Sequence, residues 1–453
     1  MRKEKIFLLR PKSLSEEGNV HPRSCCLPWT LKYIQSILES RNYPVYFYDL
    51  KVAGSSLEEA IRLVRDYDPQ YIVIQANTLE CSSCKEILKR LKGLTKAKTI
   101  LIGQYASYLY SSPAGVDFLV KGESEIAVSD LIINESNKAV DQEKTHLIDE
   151  LSDLPFPRYR KEELKNYHYP YPIKIAKRIT WGSILSSRGC PYDCIFCTQI
   201  LRESYGKKIR LRNADNILAE IRYLKDLGAN VISFEDDSFT FSSVQLNSVC
   251  DKLISENLGI KWICQGRVDE LDYNILKKMK KAGCMLIRFG VESGSERIIK
   301  ILKKTRDEKN WIEKTKEVFS RSRELGISTD AMFIIGSPSE TQEDIFASIK
   351  LARSIRPDML QVVFFTPYPG SEAFRIYRER FKNINTSQLY HYGKLITNLS
   401  CVDSEKLIEL QKKFYRSIVF RPSFLINHMV NYLYFYIFNY KHIAKAINFK
   451  NFF

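Results

Sequence analysis

The chain has 453 residues, 44% of them hydrophobic and 27% charged, with a formal net charge of +16. That places it among globular proteins of two or three domains, because one hydrophobic core does not organise this length. No apolar run reaches the ~18–20 residues a membrane-crossing helix needs, and Met1-Arg2-Lys3-Glu4-Lys5 leads into only four apolar residues, so neither a membrane span nor a secretory leader is expected. The expected location is therefore cytoplasmic, where thiols stay reduced and eleven cysteines argue for metal or reactive chemistry over disulfides. The positive charge allows anionic partners: phosphates, nucleic acid or lipid headgroups.

The first third alternates strand and helix patterns. Strands are predicted over 5–9, 45–49, 71–75, 99–103 and 116–120, and helices over 29–40, 57–67 and 85–94. Alternation at this spacing predicts parallel βαβ units and a doubly wound sheet, whose ligands sit at the carboxyl ends of the strands. Residues 136–180 read as a linker rich in proline, with "DLPFPRY" and "YHYPYPIK" suited to an extended path along a surface.

A second alternating series begins at Trp181. Strands are predicted over 183–187, 231–234, 262–267, 285–291, 329–335 and 360–365, with helices over 214–227, 244–256, 272–282, 311–325 and 342–354. Six β/α units fall two short of the eight that close a full barrel, so an incomplete, laterally open barrel is expected. Beyond Glu372 the chain reads as helical and aromatic.

"SSRGCPYDCIFCTQ" carries Cys190, Cys194 and Cys197 just after the first strand of this series, at the barrel end where such folds keep their chemistry. Gly189 and Pro191 bend the loop so that three thiolates can converge. Soft thiolates suit zinc or an iron–sulfur cluster. A [4Fe–4S] cubane held by three cysteines keeps one iron open for another ligand. The alternatives are zinc completed by a distant residue, or buried structural cysteines; the C-x3-C-x2-C spacing is not a common zinc-finger one.

That motif, placed after strand one of a β/α series, resembles the radical S-adenosylmethionine (SAM) superfamily. The resemblance continues through "FEDDSFTF" (234–241), "CQGRVD" (264–269), "RFGVESGSE" (288–296), "FIIGSPSET" (333–341) and "TPYPGSEAF" (366–374). It implies that Cys190, Cys194 and Cys197 hold a [4Fe–4S] cluster, that SAM chelates the fourth iron, and that reduction of the cluster by an external donor of flavodoxin or ferredoxin type cleaves SAM to a 5'-deoxyadenosyl radical.

Further residues can be assigned by their physics. Phe196 offers a flat apolar surface beside the adenine, or a core aromatic. Asp236 and Asp237 end a strand, where they could take the SAM ammonium or cap the next helix. Glu292 and Ser293 end another; a carboxylate there can accept from ribose hydroxyls, and Gly294 lets the backbone approach closely. Gly336 leaves room for adenine. Arg267 could pair with Glu292 or the SAM carboxylate, or form a structural salt bridge. No catalytic residue can be named from the sequence.

Before such a barrel, a doubly wound domain resembles the cobalamin-binding domain of the B12-dependent branch, through "VDFLVKGESE" (116–125) and the Gly103 turn. Asn77 and Gly103 stand where that resemblance puts cobalamin contacts. The D-x-H-x-x-G motif of His-ligated domains is missing, Asn77-Thr78-Leu79 replaces S-x-L and Gly103-Gln104 replaces a Gly-Gly pair. A lower-face histidine is therefore not expected, and His21 reads as a surface residue. A domain that has lost cobalamin is the alternative. Cys25, Cys26, Cys81 and Cys84 would lie at one end of the sheet, as a second metal site or as small apolar residues at helix starts.

From Gln411 onward there is no acidic residue, while Lys412, Lys413, Arg416, Arg421, Lys441, Lys445 and Lys450 are basic, and thirteen aromatics fall within 414–453. "MVNYLYFYIF" (429–438) suits either a helix packed on the barrel or a membrane interface. The chain thus divides into a cobalamin-type α/β domain (1–135), a linker (136–180), a partial (β/α)6 barrel (181–375) and a helical, basic tail (376–453). The expected function is cobalamin-dependent methyl transfer to an unactivated carbon of a small or lipid-like substrate, with peripheral membrane contact through the tail and no nucleic acid. The alternatives are a radical cyclase or oxidoreductase that does not use cobalamin, and a zinc-stabilised basic binding module.

Overall fold

The alternating apolar runs form two parallel sheets in the computed structural model, which describes residues 3–12, 27–53, 55–109, 111–134, 145–167, 169, 179–198, 208–381, 384, 386, 389, 395–422, 424–426 and 429–430. His21, Cys25, Cys26 and residues 431–453, with most of the aromatic tail, lie outside them.

The first sheet contains β1 (Ile6–Arg10), β2 (Val45–Asp49), β3 (Tyr71–Gln75), β4 (Lys98–Ile102) and β5 (Phe118–Leu119), in the order β2-β1-β3-β4-β5. Its longer helices are α1 (Trp29–Ser40), α2 (Leu57–Tyr67), α3 (Cys81–Leu91) and α4 (Glu125–Ile133). Both faces are covered, which explains strands that are apolar throughout. Phe7, Leu9, Ile72, Ile74 and Leu101 pack with residues of α2 and α3. Ile6, Leu8, Val73, Ile100 and Ile102 pack with residues of α1 and α4. The strand order reverses between β1 and β3, the switch point where open α/β sheets bind ligands.

The second sheet runs β6 (Trp181–Ile184), β7 (Val231–Phe234), β8 (Lys261–Gly266), β9 (Cys284–Glu292), β10 (Ser328–Ile335) and β11 (Met359–Phe364) in sequence order. Between them lie α5 (Ala214–Asp226), α6 (Ser243–Glu256), α7 (Tyr273–Lys281), α8 (Glu308–Glu324) and α9 (Gln342–Ile355). Asn213, Ser242, Asp272, Asp307 and Thr341 each cap the next helix by accepting a first-turn N–H. Among the described residues β6 and β11 do not pair, so the barrel stays open on one side. Tyr169 covers its amino end. Tyr169 hydrogen-bonds Ser183 at 2.9 Å and packs on Trp181 with ring centroids 5.0 Å apart. The other edge is covered by α10 (Ser404–Val419). Val362 N–H donates to the Tyr415 hydroxyl at 2.9 Å, and Gln411 donates to the Val362 carbonyl at 2.8 Å. An edge strand's free groups are thereby satisfied within the chain.

Three elements differ from expectation for identifiable reasons. The helix expected over 85–94 begins at Cys81, because the Glu80 carboxylate accepts the Asn77 N–H (2.8 Å) and starts a 3-10 turn that runs into it. The strand expected over 183–187 stops at Ile184, because Asp236 draws Ser186 and Ser187 out of the ladder. A short helix, Glu296–Ile301, follows β9 behind a Ser295 cap.

Candidate functional site

The carboxyl ends of β6 to β11 build one face. The loop after β6 is set first. Asp236, fully buried beyond β7, accepts the Ser186 N–H at 3.2 Å and both the Ser186 hydroxyl (2.8 Å) and the Ser187 hydroxyl. The Ser186 carbonyl accepts from Arg212 N–H at 2.9 Å and from Gln245 at 3.1 Å. Gly189 then takes φ +98°, a left-handed turn that favours glycine. Beyond it Ile195 is pinned on both sides, its N–H to the Leu302 carbonyl (3.1 Å) and its carbonyl to Ala373 N–H (2.9 Å). Thr198 bridges to Ser371 beyond β11. The cysteine loop therefore spans the open side of the barrel.

Cys194 is buried, and Cys190 and Cys197 are partly buried. Burial pushes the Cys190 thiol up to about 11 and raises Cys197 further; Asp237 and the neighbouring thiols add to both shifts. Burial also raises Cys194, against the nearby Lys304 and Arg267 charges. Three thiols that feel one another beside two cations are fit to be held as thiolates on a soft, positively charged body. No group of three Cys, His, Asp or Glu side chains among the described residues could hold a single metal ion. Three soft thiols on one loop are the donor set that a [4Fe–4S] cluster with one open iron takes.

The expected site residues fall into two groups. Asp237 is exposed, yet protein crowds its carboxyl; that crowding and Asp236 push it up to about 6. Its charge acts on both Cys190 and Cys197. Glu292 ends β9 at φ +65°, a conformation non-glycine residues hold only when their surroundings enforce it. The enforcing partner is Lys304, which donates to Glu292 at 2.8 Å, and a Cβ at Gly290 would crowd the ends of both side chains. Phe196 is half-buried against Ile195, Ile298, Ile334 and Phe365.

The second group is committed to the scaffold. Ser242, rather than Asp236 or Asp237, caps α6, and the Asp236 oxygens are engaged by the cysteine loop. Arg267 pairs with Asp269 (3.0 and 2.7 Å) and not with Glu292; it donates to the Lys304 carbonyl at 2.9 Å and lies 3.4 Å from the Tyr192 ring centroid. Ser293 shares its hydroxyl with Ser348 (3.1 Å) and Ser295 N–H (3.1 Å). The close approach at Gly294 is to α9, where a Cβ would stand 2.4 Å from the Ala347 carbonyl. At Gly336, φ +81°, the Cβ direction is occupied by Leu407 of α10, so an adenine would have to meet the other face.

Lys304 is the residue sequence reasoning missed. It is buried, lies 5.3 Å from the Trp311 ring centroid and acts electrostatically on Cys194 and Cys197. In the sequence it is one lysine among several in "KILKKTRD".

The carboxyl edge of the first sheet reaches this face. Gln104, after β4, donates to Thr198 at 3.4 Å, and Cys81 Sγ lies 3.8 Å from Thr386 Oγ1. Gly103 takes φ +95°, and a Cβ there would stand 2.7 Å from the Ala76 carbonyl, so its first duty is to let two strand ends meet. Asn77 turns the chain after β3. Trp29 Nε1, Gln75 Oε1, Ser83 Oγ and Ser124 Oγ are buried around this edge with no hydrogen-bond partner among the described residues. Such orphans are costly unless a bound group satisfies them, and a corrin rimmed with amides supplies both donors and acceptors. The edge therefore fits cobalamin. Cys81 and Cys84 are buried in the first turn of α3, and burial pushes Cys84 up to about 12, as for inert core thiols.

Comparison with known proteins agrees with this layout. Residues 184–352 match the radical SAM superfamily and residues 19–132 a B12 binding domain. An uncharacterized methyltransferase of Pyrococcus horikoshii is 26% identical, over 94% of this chain and 95% of that protein. The anaerobic magnesium-protoporphyrin IX monomethyl ester cyclase of Rubrivivax gelatinosus is 24% identical, over 88% of this chain and 74% of that protein. The solved radical SAM methyltransferase TsrM of Kitasatospora setae, with cobalamin and a [4Fe–4S] cluster bound, superposes with a TM-score of 0.65 at 16% identity, covering 84% of this chain and 79% of that one.

Proposed function

We propose, for a chain that belongs to the radical SAM superfamily and carries a B12 binding domain ahead of its barrel, that it transfers a methyl group to an unactivated carbon of a small organic substrate. The family's chemistry requires SAM, a [4Fe–4S] cluster, a small-molecule substrate and an external reductant, here of flavodoxin or ferredoxin type. The observation that carries the methyl-transfer reading is the Gln104–Thr198 contact, which sets the carboxyl edge of the first sheet against the cysteine loop. A cofactor on that edge would face the barrel mouth.

In this reading Cys190, Cys194 and Cys197 hold the cluster, which supplies the electron that splits SAM, while cobalamin carries the methyl group. Asp237 takes the SAM ammonium. Lys304 takes its carboxylate, and Glu292, fixed by Lys304, accepts from the ribose. Phe196 lies against the adenine. Asp236, Arg267, Ser293 and Gly336 position these groups. Asn77 and Gly103 shape the cobalamin edge.

Glu292→Gln is expected to weaken SAM binding by about 1–3 kcal/mol, the worth of a hydrogen bond to a charged group, as read by equilibrium dialysis. Unchanged affinity would remove Glu292 from the site. For the function itself, the reconstituted protein is loaded with hydroxocobalamin, desalted and turned over anaerobically with reductant and SAM. Near-stoichiometric retention of cobalamin, with both 5'-deoxyadenosine and S-adenosylhomocysteine produced, is the expected result. No retained cobalamin and 5'-deoxyadenosine alone would overturn methyl transfer in favour of a cyclase or oxidoreductase.

A further inference from the structure

We propose that the face formed by the carboxyl ends of α9 and α10 docks on an anionic lipid surface. Four guanidinium groups gather there. Arg323 of α8 donates to the Ile355 carbonyl at 3.0 Å, and Arg421 donates to the Ile418 carbonyl at 3.2 Å, each answering the partial negative charge of a helix end. Arg353 and Arg356 are exposed and have no ion pair among the described residues. Arg421 feels all three: burial, then the charges of Arg356, Arg323 and Arg353, disfavour its proton. The acid within reach of Arg323 is Asp358, and its carboxylate is taken by Thr329 N–H at 2.9 Å.

Four like charges gathered about a single nearby carboxylate are unfavourable in an isolated protein, and an external anion relieves them. A groove of about 480 Å³ beside them is lined by Phe346, Ile349, Lys350, Arg353 and Ser354. Lys413 stands over the Phe346 ring at 4.7 Å, and Lys412 and Arg416 extend the basic surface along α10.

The second observation is apolar. Phe420 is 67% exposed, Ile426 61%, Met429 70% and Val430 52%, all directly after α10. Large apolar side chains rarely cluster in water without a partner. Exposed apolar side chains that begin at Phe420, next to Arg421, suit a bilayer interface, where cations meet headgroups and the apolar side chains enter the acyl boundary. Nucleic acid would use the arginines and leave Ile426, Met429 and Val430 in water.

The test uses the full-length reconstituted protein and sedimentation with vesicles of equal parts phosphatidylglycerol and phosphatidylcholine, or of phosphatidylcholine alone. Binding to the mixed vesicles only, weakening with salt, is expected. Arg353→Glu/Arg356→Glu should lower that partitioning about tenfold or more, and Phe420→Ser/Ile426→Ser should lower it as well. Both pairs are exposed, so iron content and 5'-deoxyadenosine release should stay as in the parent. Equal binding to both vesicle types, or undiminished binding by the charge-reversed variant, overturns the proposal. So does binding that bulk tRNA displaces and Phe420→Ser/Ile426→Ser leaves unchanged, an outcome that assigns the face to nucleic acid.

Discussion

Cys194→Ala is expected to abolish iron binding and, with it, all cleavage of SAM. Anaerobic reconstitution should load the parent chain with about four irons and matching sulfide, and the variant with almost none. Cys194 is buried, and the next residue is fixed by backbone hydrogen bonds to Leu302 and Ala373, so no other donor can move into its place. The fold should survive, because the loop is also held by Asp236 and by the Thr198–Ser371 bridge, neither of which needs the metal. Replacing cysteines elsewhere separates the two roles. Cys250, Cys264 and Cys284 are buried with the barrel's outer core, so Cys250→Ala should cost stability and no iron, and the exposed Cys401 should cost neither. A full cluster in the Cys190/Cys194/Cys197 triple alanine variant would sink the assignment. Zinc in place of iron, without colour, would move the chain to the binding-module class.

The fold was legible because its strands follow simple rules. Ile6 to Leu9 are apolar at every position, as a parallel strand covered on both faces must be. The site was legible where chemistry leaves a local mark: three cysteines within eight residues, and a carboxylate at a strand end. It was not legible where the deciding contact is long-range. Arg267 chose Asp269 over Glu292 because Lys304, twelve positions downstream of Glu292, already occupies that carboxylate. Asp236 looked like a ligand or a cap, yet its partners lie fifty positions earlier, in Ser186 and Ser187. Gly336 reads as room for adenine, yet its Cβ direction is taken by Leu407, and the close backbone approach expected at Gly294 is to the Ala347 carbonyl. No spacing rule within a single strand reports which helix will later press on it.

Glu123→Gln is expected to cost about 3–5 kcal/mol of stability, the penalty for leaving a buried charge without its partner. Glu123 follows β5 at the carboxyl edge of the first sheet. It accepts two hydrogen bonds from Arg210, at 2.7 and 2.6 Å, and one from Ile148 N–H at 2.6 Å. Arg188 stands 3.7 Å away and is itself paired with Glu125 at 2.8 Å. All four side chains are at most 7% exposed, two positive and two negative, so removing one charge leaves a guanidinium unbalanced in a dry place. Arg222 and Glu256 provide the control: their pair is as well formed, at 2.8 and 2.6 Å, but solvated, and Glu256→Gln should barely move the urea midpoint. The consequence extends beyond stability. Arg188 lies two positions before Cys190 and pairs with Arg210 through a two-residue antiparallel ladder. The network therefore ties the edge that would bear cobalamin to the start of the cluster loop. In the same Glu123→Gln protein, at temperatures where it remains folded, iron should still load, while S-adenosylhomocysteine should fall more than 5'-deoxyadenosine as the two halves lose their fixed relation. Equal urea midpoints for Glu123→Gln and Glu256→Gln would show that burial does not set the strength of this link, and an unchanged product ratio would show that methyl transfer does not depend on it.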